Sequence, residues 1–493
     1  MISSTRMQPA KGNSREMPIP FGIFASTGLP LEGLDPVTVQ ALFQSQHPEP
    51  VGRETLRAKA HGAQAHLGTI GEIDPQDLSQ AGWGIIFGAS VEKRVKEALQ
   101  PLIVHRREQV GDDALFRVFE NYLSVMPEDT AESWLDRQGV RMDVVDPQLG
   151  VPFYLLIVAP PDEIPFEFQY ALDLYWGVGR LWFDTAEEFR QYAASVVRYE
   201  TMARPPTARQ SAVFATCHDA ATQLFTDQVA LPLIHGARGQ LGQRQKFSLQ
   251  PFTGATATKD SLRHIYQGAI PHGPPALLFS GTHGVGFGPD DPRQASAQGA
   301  ILCQDWRPAA AAQDQHYFAA ADLPADAKVH GMIHVLFACY AAGYPRHDNF
   351  NRRSLFPKEI ASQPNIGRLP QALLSHPDGG ALAVLGHVDR AWGFSFQSEQ
   401  GGPQIQGFRD VLGRMLRGDR LGQATDQFNQ RWATLSTELA ETLHQMVLGR
   451  KVDPYTLANR WIARDDARNY LLLGDPAVCL RVKDMPELAP AAE

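Results

Sequence analysis

The chain alternates between short apolar runs and longer stretches in which apolar residues recur at helical spacing. Continuous apolar runs of four to eight residues, bounded by glycine or polar positions, predict buried strands of a parallel sheet. In the first half such runs occupy residues 83–87 and 153–158, and residues 91–109 carry apolar side chains at helical spacing. This alternation of strand and helix predicts an α/β layer.

Two short polar residues stand at predicted helix starts. Ser90 precedes the pattern of residues 91–109, and Asp184 precedes a second pattern at residues 186–199. Side chains of this kind accept hydrogen bonds from the free N–H groups of a first helical turn. We therefore expect Ser90 and Asp184 to be N-caps.

A second α/β series follows the proline pair in residues 204–207. Its predicted strands are residues 212–215, 247–252, 276–282, 300–303, 332–337, 381–386 and 470–474. The predicted fold class is α/β, an open sheet flanked by helices, with a second α/β subdomain upstream. The predicted units are a partly disordered N-terminal region (1–78), the upstream subdomain (79–203), the larger subdomain (204–484) and a tail (485–493).

Composition limits the possible partners. The 493 residues are 43% hydrophobic and 20% charged with a net charge of −9, which is typical of a soluble globular protein of two or three units. No basic field is available to hold phosphates, so nucleic acid is not an expected partner. No run reaches ~18 apolar residues, so we expect no membrane span. The first thirty residues lack the apolar core of a signal peptide, which favours a cytosolic location.

The cysteines give no sign of a metal site or a disulfide framework. Cys217, Cys303, Cys339 and Cys479 are far apart and form no CxxC pair. We expect reduced thiols and no cofactor. For Cys217, Cys303 and Cys479 an inert buried thiol is the simplest interpretation.

Cys339 differs because of its position relative to His283. His283 follows the predicted strand 276–282, and Cys339 follows the predicted strand 332–337. Functional side chains collect at the carboxyl ends of parallel strands, so neighbouring strands would bring the two residues together. A thiol beside an imidazole is the minimum arrangement for a cysteine nucleophile.

Five motifs carry a resemblance to a known family. They are Phe-Ser-Gly-Thr-His-Gly at 279–284, Leu-Phe-Ala-Cys-Tyr-Ala-Ala-Gly at 336–343, Gly-Ala-Leu-Ala-Val-Leu-Gly at 380–386, Leu-Gly-Asp-Pro at 473–476, and Val-Gly-Arg at 178–180 with Arg-Tyr-Glu at 198–200. In this order they resemble caspase-like cysteine peptidases, and within that group the gingipain-like peptidases and CHAT domains. The separation of 56 residues between His283 and Cys339 is close to the ~50 of the caspase pattern.

The resemblance implies a catalytic role for each of these residues. Cys339 would attack the scissile carbonyl, and His283 would protonate the departing amine. The N–H groups of Gly284 and Cys339 would hold the oxyanion. The resemblance also implies a pocket for the residue before the cut, lined by His387, Asp389 and Trp392. An acidic Asp389 would favour Arg or Lys there, and the substrates would be proteins or peptides.

Two departures from the family shape the functional prediction. Residues 337–341 read Phe-Ala-Cys-Tyr-Ala rather than the caspase Gln-Ala-Cys-x-Gly, and the signal peptide of secreted gingipains is missing. We therefore predict regulated limited proteolysis of particular protein partners inside a bacterial cell, and an activating protein is a further candidate partner. Two alternatives stay open: a non-enzymatic scaffold that binds a protein partner through its first 150 residues, and an inactive zymogen that awaits an activator, a ligand or cleavage, with residues 346–357 as a candidate processing site.

Three further features have plainer interpretations. His330 precedes the strand 332–337 and His334 lies within it, and both are expected to be structural or exposed. The glycines of residues 284–288 lack the Lys and Ser/Thr that follow in a phosphate loop, so a cleft rim is expected. Asp475 and Pro476 are expected to shape a turn beside the sheet.

Overall fold

The computed structural model describes residues 20–44, 69–236, 238–350, 357–398 and 402–488. Its strands are β1 Gly22–Phe24, β2 Trp83–Phe87, β3 Phe116–Phe119, β4 Tyr154–Val158, β5 Gly177–Leu181, β6 Gln210–Ala215, β7 Ser248–Thr253, β8 Leu277–Gly281, β9 Gly284–Gly286, β10 Ala300–Leu302, β11 Tyr317–Phe318, β12 Ile333–Phe337, β13 Gly343–Tyr344, β14 Asn365–Ile366, β15 Ala383–His387 and β16 Tyr470–Gly474. The predicted disorder of residues 1–17 and the end of the predicted tail lie outside the described residues.

The described residues also form α-helices, the last four of which follow one another between β15 and β16. They are α1 Pro36–Gln44, α2 Leu78–Ala81, α3 Lys93–Val110, α4 Ala131–Arg137, α5 Phe166–Leu172, α6 Ala186–Thr201, α7 Ala220–Phe225, α8 Leu231–His235, α9 Lys259–Tyr266, α10 Gln294–Ala297, α11 Arg368–Leu374, α12 Gln406–Arg417, α13 Leu421–Ala424, α14 Asp426–Val447 and α15 Pro454–Arg468. None of the helices in the described part of the chain combines the length and the apolar character needed to cross a bilayer.

Strands from both halves of the chain join one continuous sheet. Within the described residues it has ten strands in the order β3-β2-β4-β5-β16-β15-β12-β8-β6-β7. Strand β16 is parallel to β5 and antiparallel to β15, while all other neighbours are parallel. Strands β2 to β5 and β16 therefore run in one direction, and β6, β7, β8, β12 and β15 run in the other. The predicted class, an α/β sheet flanked by helices, is confirmed; the division into units at residue 204 stays a prediction.

The central strands form because they are apolar on both faces. Every residue of β4, β8, β12 and β15 is buried, as the continuous apolar runs predict for parallel strands covered on both sides. The predicted strands at 83–87, 153–158, 276–282 and 332–337 are confirmed as β2, β4, β8 and β12. These strands supply the rigid frame of the site.

Both predicted N-caps are wrong. The Ser90 N–H and hydroxyl donate instead to the carboxylate of Glu163, and α3 begins three residues later. Helix α6 is capped by Thr185 rather than Asp184: the Thr185 hydroxyl accepts from the Glu188 N–H at 3.3 Å, and the Glu188 carboxylate accepts from the Thr185 N–H at 3.0 Å. This reciprocal pair satisfies two free donors, which one aspartate cannot do.

A buried ion network ties the upstream helices to the end of β16. Arg106 on α3 donates from Nε to Asp475 at 2.7 Å and from its two terminal nitrogens to Glu200 on α6 at 2.6 and 2.7 Å. Asp475 also accepts from the Trp83 indole at 3.0 Å and, in the expected turn, from the Ala477 N–H at 3.0 Å. The predicted turn residue is therefore also one end of a buried charge network.

His334 on β12 is a structural histidine, as predicted. It is fully buried, with Nε2 2.7 Å from the Ser280 hydroxyl and Nδ1 3.2 Å from the Tyr266 hydroxyl. Burial lowers the pKa of His334 to about 3. The neighbouring His330 lies with Nε2 3.0 Å from the Ser195 carbonyl oxygen.

His334 makes stability depend on pH. An unfolded histidine binds a proton below about pH 6.5, whereas folded His334 stays neutral down to about 3. Its contribution is therefore complete above pH 6.5 and is lost as the pH falls toward 3. At pH 5 we expect a loss of about 2 kcal/mol in the free energy of unfolding from this group.

Urea unfolding at pH 7 and pH 5, for the native chain and for His334→Gln, measures this contribution. Between pH 7 and pH 5 the free energy of unfolding of the variant should fall by about 2 kcal/mol less than that of the native chain, because glutamine does not titrate. Burial raises the pKa of Asp389 to about 7, so this group makes the free energy of unfolding change with pH in the opposite direction. Because Asp389 is present in both proteins, its effect cancels when the two are compared. Equal falls in the two proteins would rule out this role.

Candidate functional site

Strands β8 and β12 place His283 and Cys339 side by side. The two strands are parallel and in register from Leu277 opposite Ile333 to Gly281 opposite Phe337. His283 and Cys339 each follow the last of these pairs by two residues. The Thr282 N–H continues the pairing by donating to the Phe337 carbonyl at 3.1 Å. The imidazole and the thiol therefore leave the same edge of the sheet from adjacent strands, and both residues are fully buried.

Two backbone donors converge beside the thiol. The Gly284 N–H and the Cys339 N–H both donate to the carbonyl oxygen of Phe21, at 3.0 and 2.9 Å. A β-carbon at Gly284 would lie 1.9 Å from the Cys339 carbonyl oxygen, so this close approach requires glycine. Two amides aimed at one oxygen at these distances can stabilise negative charge that develops on it.

The oxygen between these donors belongs to the chain's own N-terminal part. Residues 20–31, called here the cleft segment, contain β1, which pairs in parallel with β9. The Phe21 N–H donates to the Ala391 carbonyl at 2.8 Å, so the main chain of Phe21 is held on both sides. A β-carbon at Gly22 would lie 2.8 Å from Cys339 Sγ. The peptide bond between Phe21 and Gly22 therefore lies against the thiol.

Asp219 orients the imidazole of His283. Asp219 Oδ2 lies 2.7 Å from His283 Nε2, while Asp219 Oδ1 accepts from the Thr222 N–H at 3.0 Å as the N-cap of α7. Burial opposes the charge of Asp219, but its hydrogen bonds to His283 and Thr222 outweigh burial and lower its pKa. His283 Nδ1 is buried and has no hydrogen-bond partner among the described residues. That nitrogen is available for proton transfer.

The Cys339 thiol is held in its neutral form in this arrangement. Burial raises the pKa of Cys339 well above its usual range, against smaller opposing effects of the Ala391 hydrogen bond and the Arg390 charge. The Ala391 N–H lies 3.3 Å from Sγ. Removing the cleft segment would expose the sulfur to water and so weaken the cause of this shift.

The three residues of the predicted pocket stand at or just after the end of β15, the neighbour of β12 on the side opposite β8, and all three are fully buried. His387 Nε2 lies 3.1 Å from Asp466, and Asp466 also accepts from the Trp392 N–H at 2.9 Å. Trp392 forms a backbone bridge with Pro20 of the cleft segment. The Asp389 carboxylate accepts from two backbone N–H groups, those of Asn349 at 3.0 Å and Arg390 at 2.7 Å.

Solved structures similar to this chain include gingipain R, described as an Arg-specific cysteine proteinase. It is 13% identical, with a TM-score of 0.45, over 82% of this chain and 79% of that chain. A structure described as a protease is 13% identical, with a TM-score of 0.46, over 81% of this chain and 78% of that one. The complex of the pro- and mature domains of RgpB from Porphyromonas gingivalis is 11% identical, with a TM-score of 0.39, over 81% of this chain and 80% of that one.

No protein-family model and no curated protein matches the chain. The three structural neighbours include the gingipains that the sequence motifs resemble. Because all three TM-scores are below 0.5, the argument for function rests on the geometry of the site itself.

Sequence reasoning missed two parts of the site. Asp219 follows β6, a predicted strand next to β8, so its position at a carboxyl end was a usable signal. Its role was hidden because aspartate before a helix is also an ordinary N-cap, a role that it fills as well. The cleft segment gave no signal, because β1 has only three residues and lies in a region with weak patterning. The predicted processing loop, residues 346–357, lies partly outside the described residues.

Proposed function

We propose that the protein is a cysteine peptidase in which Cys339 is the nucleophile and His283 the general acid and base. One observation supports this above all: the N–H groups of Gly284 and Cys339 meet on a single peptide carbonyl oxygen directly beside the thiol. The bond from Gly284 also belongs to the pairing of β1 with β9, but the Cys339 N–H directs a second donor to the same oxygen at the thiol, and two such donors are what acyl transfer uses to stabilise an oxyanion.

Each residue has a defined role in the proposed reaction. His283 takes the thiol proton through Nδ1, and the thiolate attacks the peptide carbonyl carbon. The amides of Gly284 and Cys339 hold the negative oxygen of the tetrahedral intermediate. His283 then gives its proton to the departing amine, and water later releases the acyl group from the sulfur. Asp219 is a positioning residue that fixes the orientation of the imidazole.

The filled cleft favours a dormant form that becomes active when the cleft segment leaves. Cys339 has no exposed surface while Phe21 and Gly22 lie against it. The proposed activity is therefore limited proteolysis of protein substrates, released by an activating protein partner that displaces this segment. The four cysteines are free, which suits the cytosolic location that we include in this proposal.

The first test is cleavage of a diverse peptide library by the full chain and by a Phe21→Ala chain, in which the cleft segment is weakened. Cut bonds are identified by mass spectrometry. We expect cleavage by the Phe21→Ala chain, and its complete loss when Cys339→Ala is added, since alanine supplies no nucleophile.

Two outcomes would overturn the proposal. Cleavage that persists at the same rate in the Cys339→Ala chain would come from another group or another protein. No cleavage by a folded Phe21→Ala chain whose Cys339 reacts with iodoacetamide would favour the scaffold alternative, because the thiol would then be accessible yet inactive.

A further inference from the structure

The cleft segment lies across Cys339 in the way that a bound peptide would. Three contacts define this arrangement: the Phe21 carbonyl lies between the two amide donors, the Phe21 N–H pairs with Ala391, and Pro20 bridges Trp392. Main-chain pairing of this kind fixes a peptide by strand addition, while pockets choose its side chains. The segment therefore shows which side chains the cleft accepts.

The Phe21 side chain occupies an aromatic pocket and is fully buried. Its ring centroid lies 4.9 Å from that of Phe337, 5.8 Å from that of Phe396 and 6.2 Å from that of Phe225. All three contacts are edge-to-face, a geometry that aromatic pairs prefer. The pocket lies beside His283, whose ring centroid is 6.1 Å from that of Phe21.

The position after Phe21 accepts little more than glycine. A β-carbon at Gly22 would lie 2.7 Å from Cys339 Cβ and 2.8 Å from Cys339 Sγ. Real β-carbons do not approach heavy atoms this closely, so the sulfur itself excludes a larger residue in this geometry. The same β-carbon would lie 2.5 Å from Cδ1 of Leu31, which belongs to the cleft segment, so the space at Gly22 is restricted on that side as well.

We propose, on the basis of the cysteine peptidase activity inferred above, that residues 20–24 imitate a substrate. The substrates are peptides with an aromatic side chain at the position of Phe21 and glycine at that of Gly22, cut at the bond between them. This aromatic preference differs from the basic preference that the sequence predicted from Asp389.

Asp389 already has partners of its own. Its carboxylate accepts from the Asn349 and Arg390 N–H groups and lies 3.6 Å from the Arg390 Nε. The side chains in ring contact with Phe21 are instead uncharged aromatic rings and His283. A lysine or arginine in this pocket would lose its hydration without gaining a carboxylate.

The same chemistry explains how the segment can stay in place. Attack by Cys339 Sγ forms a thioester with Phe21, breaks the bond to the Gly22 nitrogen and transfers the thiol proton through His283 to that nitrogen. The new amine cannot diffuse away, because the Gly22 carbonyl accepts from the Leu31 N–H at 2.9 Å and β1 stays paired with β9. The amine therefore re-forms the peptide bond faster than water hydrolyses the thioester.

The first part of the test asks whether Phe21 holds the segment over the thiol. In full-length Phe21→Glu, a carboxylate would have to enter the aromatic pocket, so the segment should leave it. We expect alkylation of Cys339 by iodoacetamide to accelerate at least about tenfold. Leu29→Glu is the matched control, because Leu29 lies in the same cleft segment but is 55% exposed. Phe21→Ala, which adds no charge, serves if the glutamate variant does not fold.

The second part measures the preference directly. The Phe21→Glu and Phe21→Ala chains are given three peptides that are identical except for a Phe-Gly, Arg-Gly or Asp-Gly pair at the cut. We expect kcat/KM for the Phe-Gly peptide to exceed that for the other two on the order of 100-fold. A Phe-Ala peptide should be cut more slowly than Phe-Gly because of the contact at Cys339.

The outcomes separate this inference from the peptidase proposal. Preferred cleavage of the Arg-Gly or Asp-Gly peptide, lost with Cys339→Ala, would overturn the aromatic preference and leave the peptidase standing. Equal alkylation rates in the native, Phe21→Glu and Leu29→Glu chains would overturn the role of Phe21 in the cleft. No cleavage of any peptide by chains with a reactive Cys339 would overturn both proposals.

Discussion

Alanine at His283 is expected to slow peptide hydrolysis about as much as alanine at Cys339, and the chain with both changes should be no slower than either alone. Each single change should lower kcat/KM by ~10⁴ or more, measured on the Phe21→Ala chain with the Phe-Gly peptide. The effects do not add because both residues serve one step: the thiol attacks only when its proton has an acceptor.

His218 supplies the control for this prediction. Its ring is stacked on His283 with centroids 6.4 Å apart, and its Nε2 lies 2.8 Å from the Cys303 carbonyl oxygen. Burial lowers the pKa of His218 to about 4, so it is neutral at pH 7 and has no assigned part in proton transfer. His218→Ala should therefore cost far less than His283→Ala. Losses that multiply in the double variant would show that Cys339 and His283 act independently.

Asp219→Asn should produce an intermediate loss, on the order of 10²-fold in kcat/KM. Asparagine keeps the shape and can still bond to His283 Nε2, but it cannot stabilise the imidazolium by charge. The split between kcat and KM distinguishes this role from a structural one: kcat should fall while KM changes little, because Asp219 contacts the imidazole and not the peptide. An unchanged kcat together with a lower free energy of unfolding would mean that Asp219 acts only as the cap of α7.

The centre of the fold could be predicted from sequence because it depends on local apolar patterns. Strands β8 and β12 are continuous apolar runs, and residues at the carboxyl ends of neighbouring parallel strands must share an edge. His283 and Cys339 meet by that rule because β8 and β12 are neighbours, which the sequence analysis had to assume. Asp219 stands at the end of β6 and joins them because β6 pairs with β8, and local patterns do not determine which strands are neighbours.

Helix α15 could not be predicted as a core helix, because its last turns carry charged residues that are usually exposed. Helix α15 ends in Arg464, Asp465, Asp466 and Arg468, and all four are buried. Charged residues are rarely buried without partners, so a polar stretch of this kind does not predict a core helix. In α15 the charges are accommodated by neighbours: Asp466, for example, accepts from Ser395 and lies beside His387. Tertiary pairing of this sort cannot be deduced from spacing.

Asp475→Ala is expected to cost about 3–5 kcal/mol in the free energy of unfolding, the largest effect on stability predicted for the chain. Asp475 and Arg106 are both fully buried, and the Arg106 guanidinium is shared between Asp475 and Glu200. Removing Asp475 leaves the Arg106 Nε and the Trp83 indole N–H without their acceptor. Arg106 keeps Glu200 as its counter-ion, but in this buried site water cannot replace the acceptor that Nε and the indole N–H lose, so the cost exceeds the net value of the two hydrogen bonds.

Urea unfolding of the native chain, Asp475→Ala and Glu187→Ala provides the measurement and its control. Glu187 pairs with Arg190 on the surface, with side chains 58% and 55% exposed, so its loss should cost at most about 1 kcal/mol. The two variants remove the same kind of carboxylate and differ in burial. If both lost the same small amount, water would be reaching Arg106. A large loss in Asp475→Ala alone would show that this network joins the upstream helices to the sheet that carries Cys339.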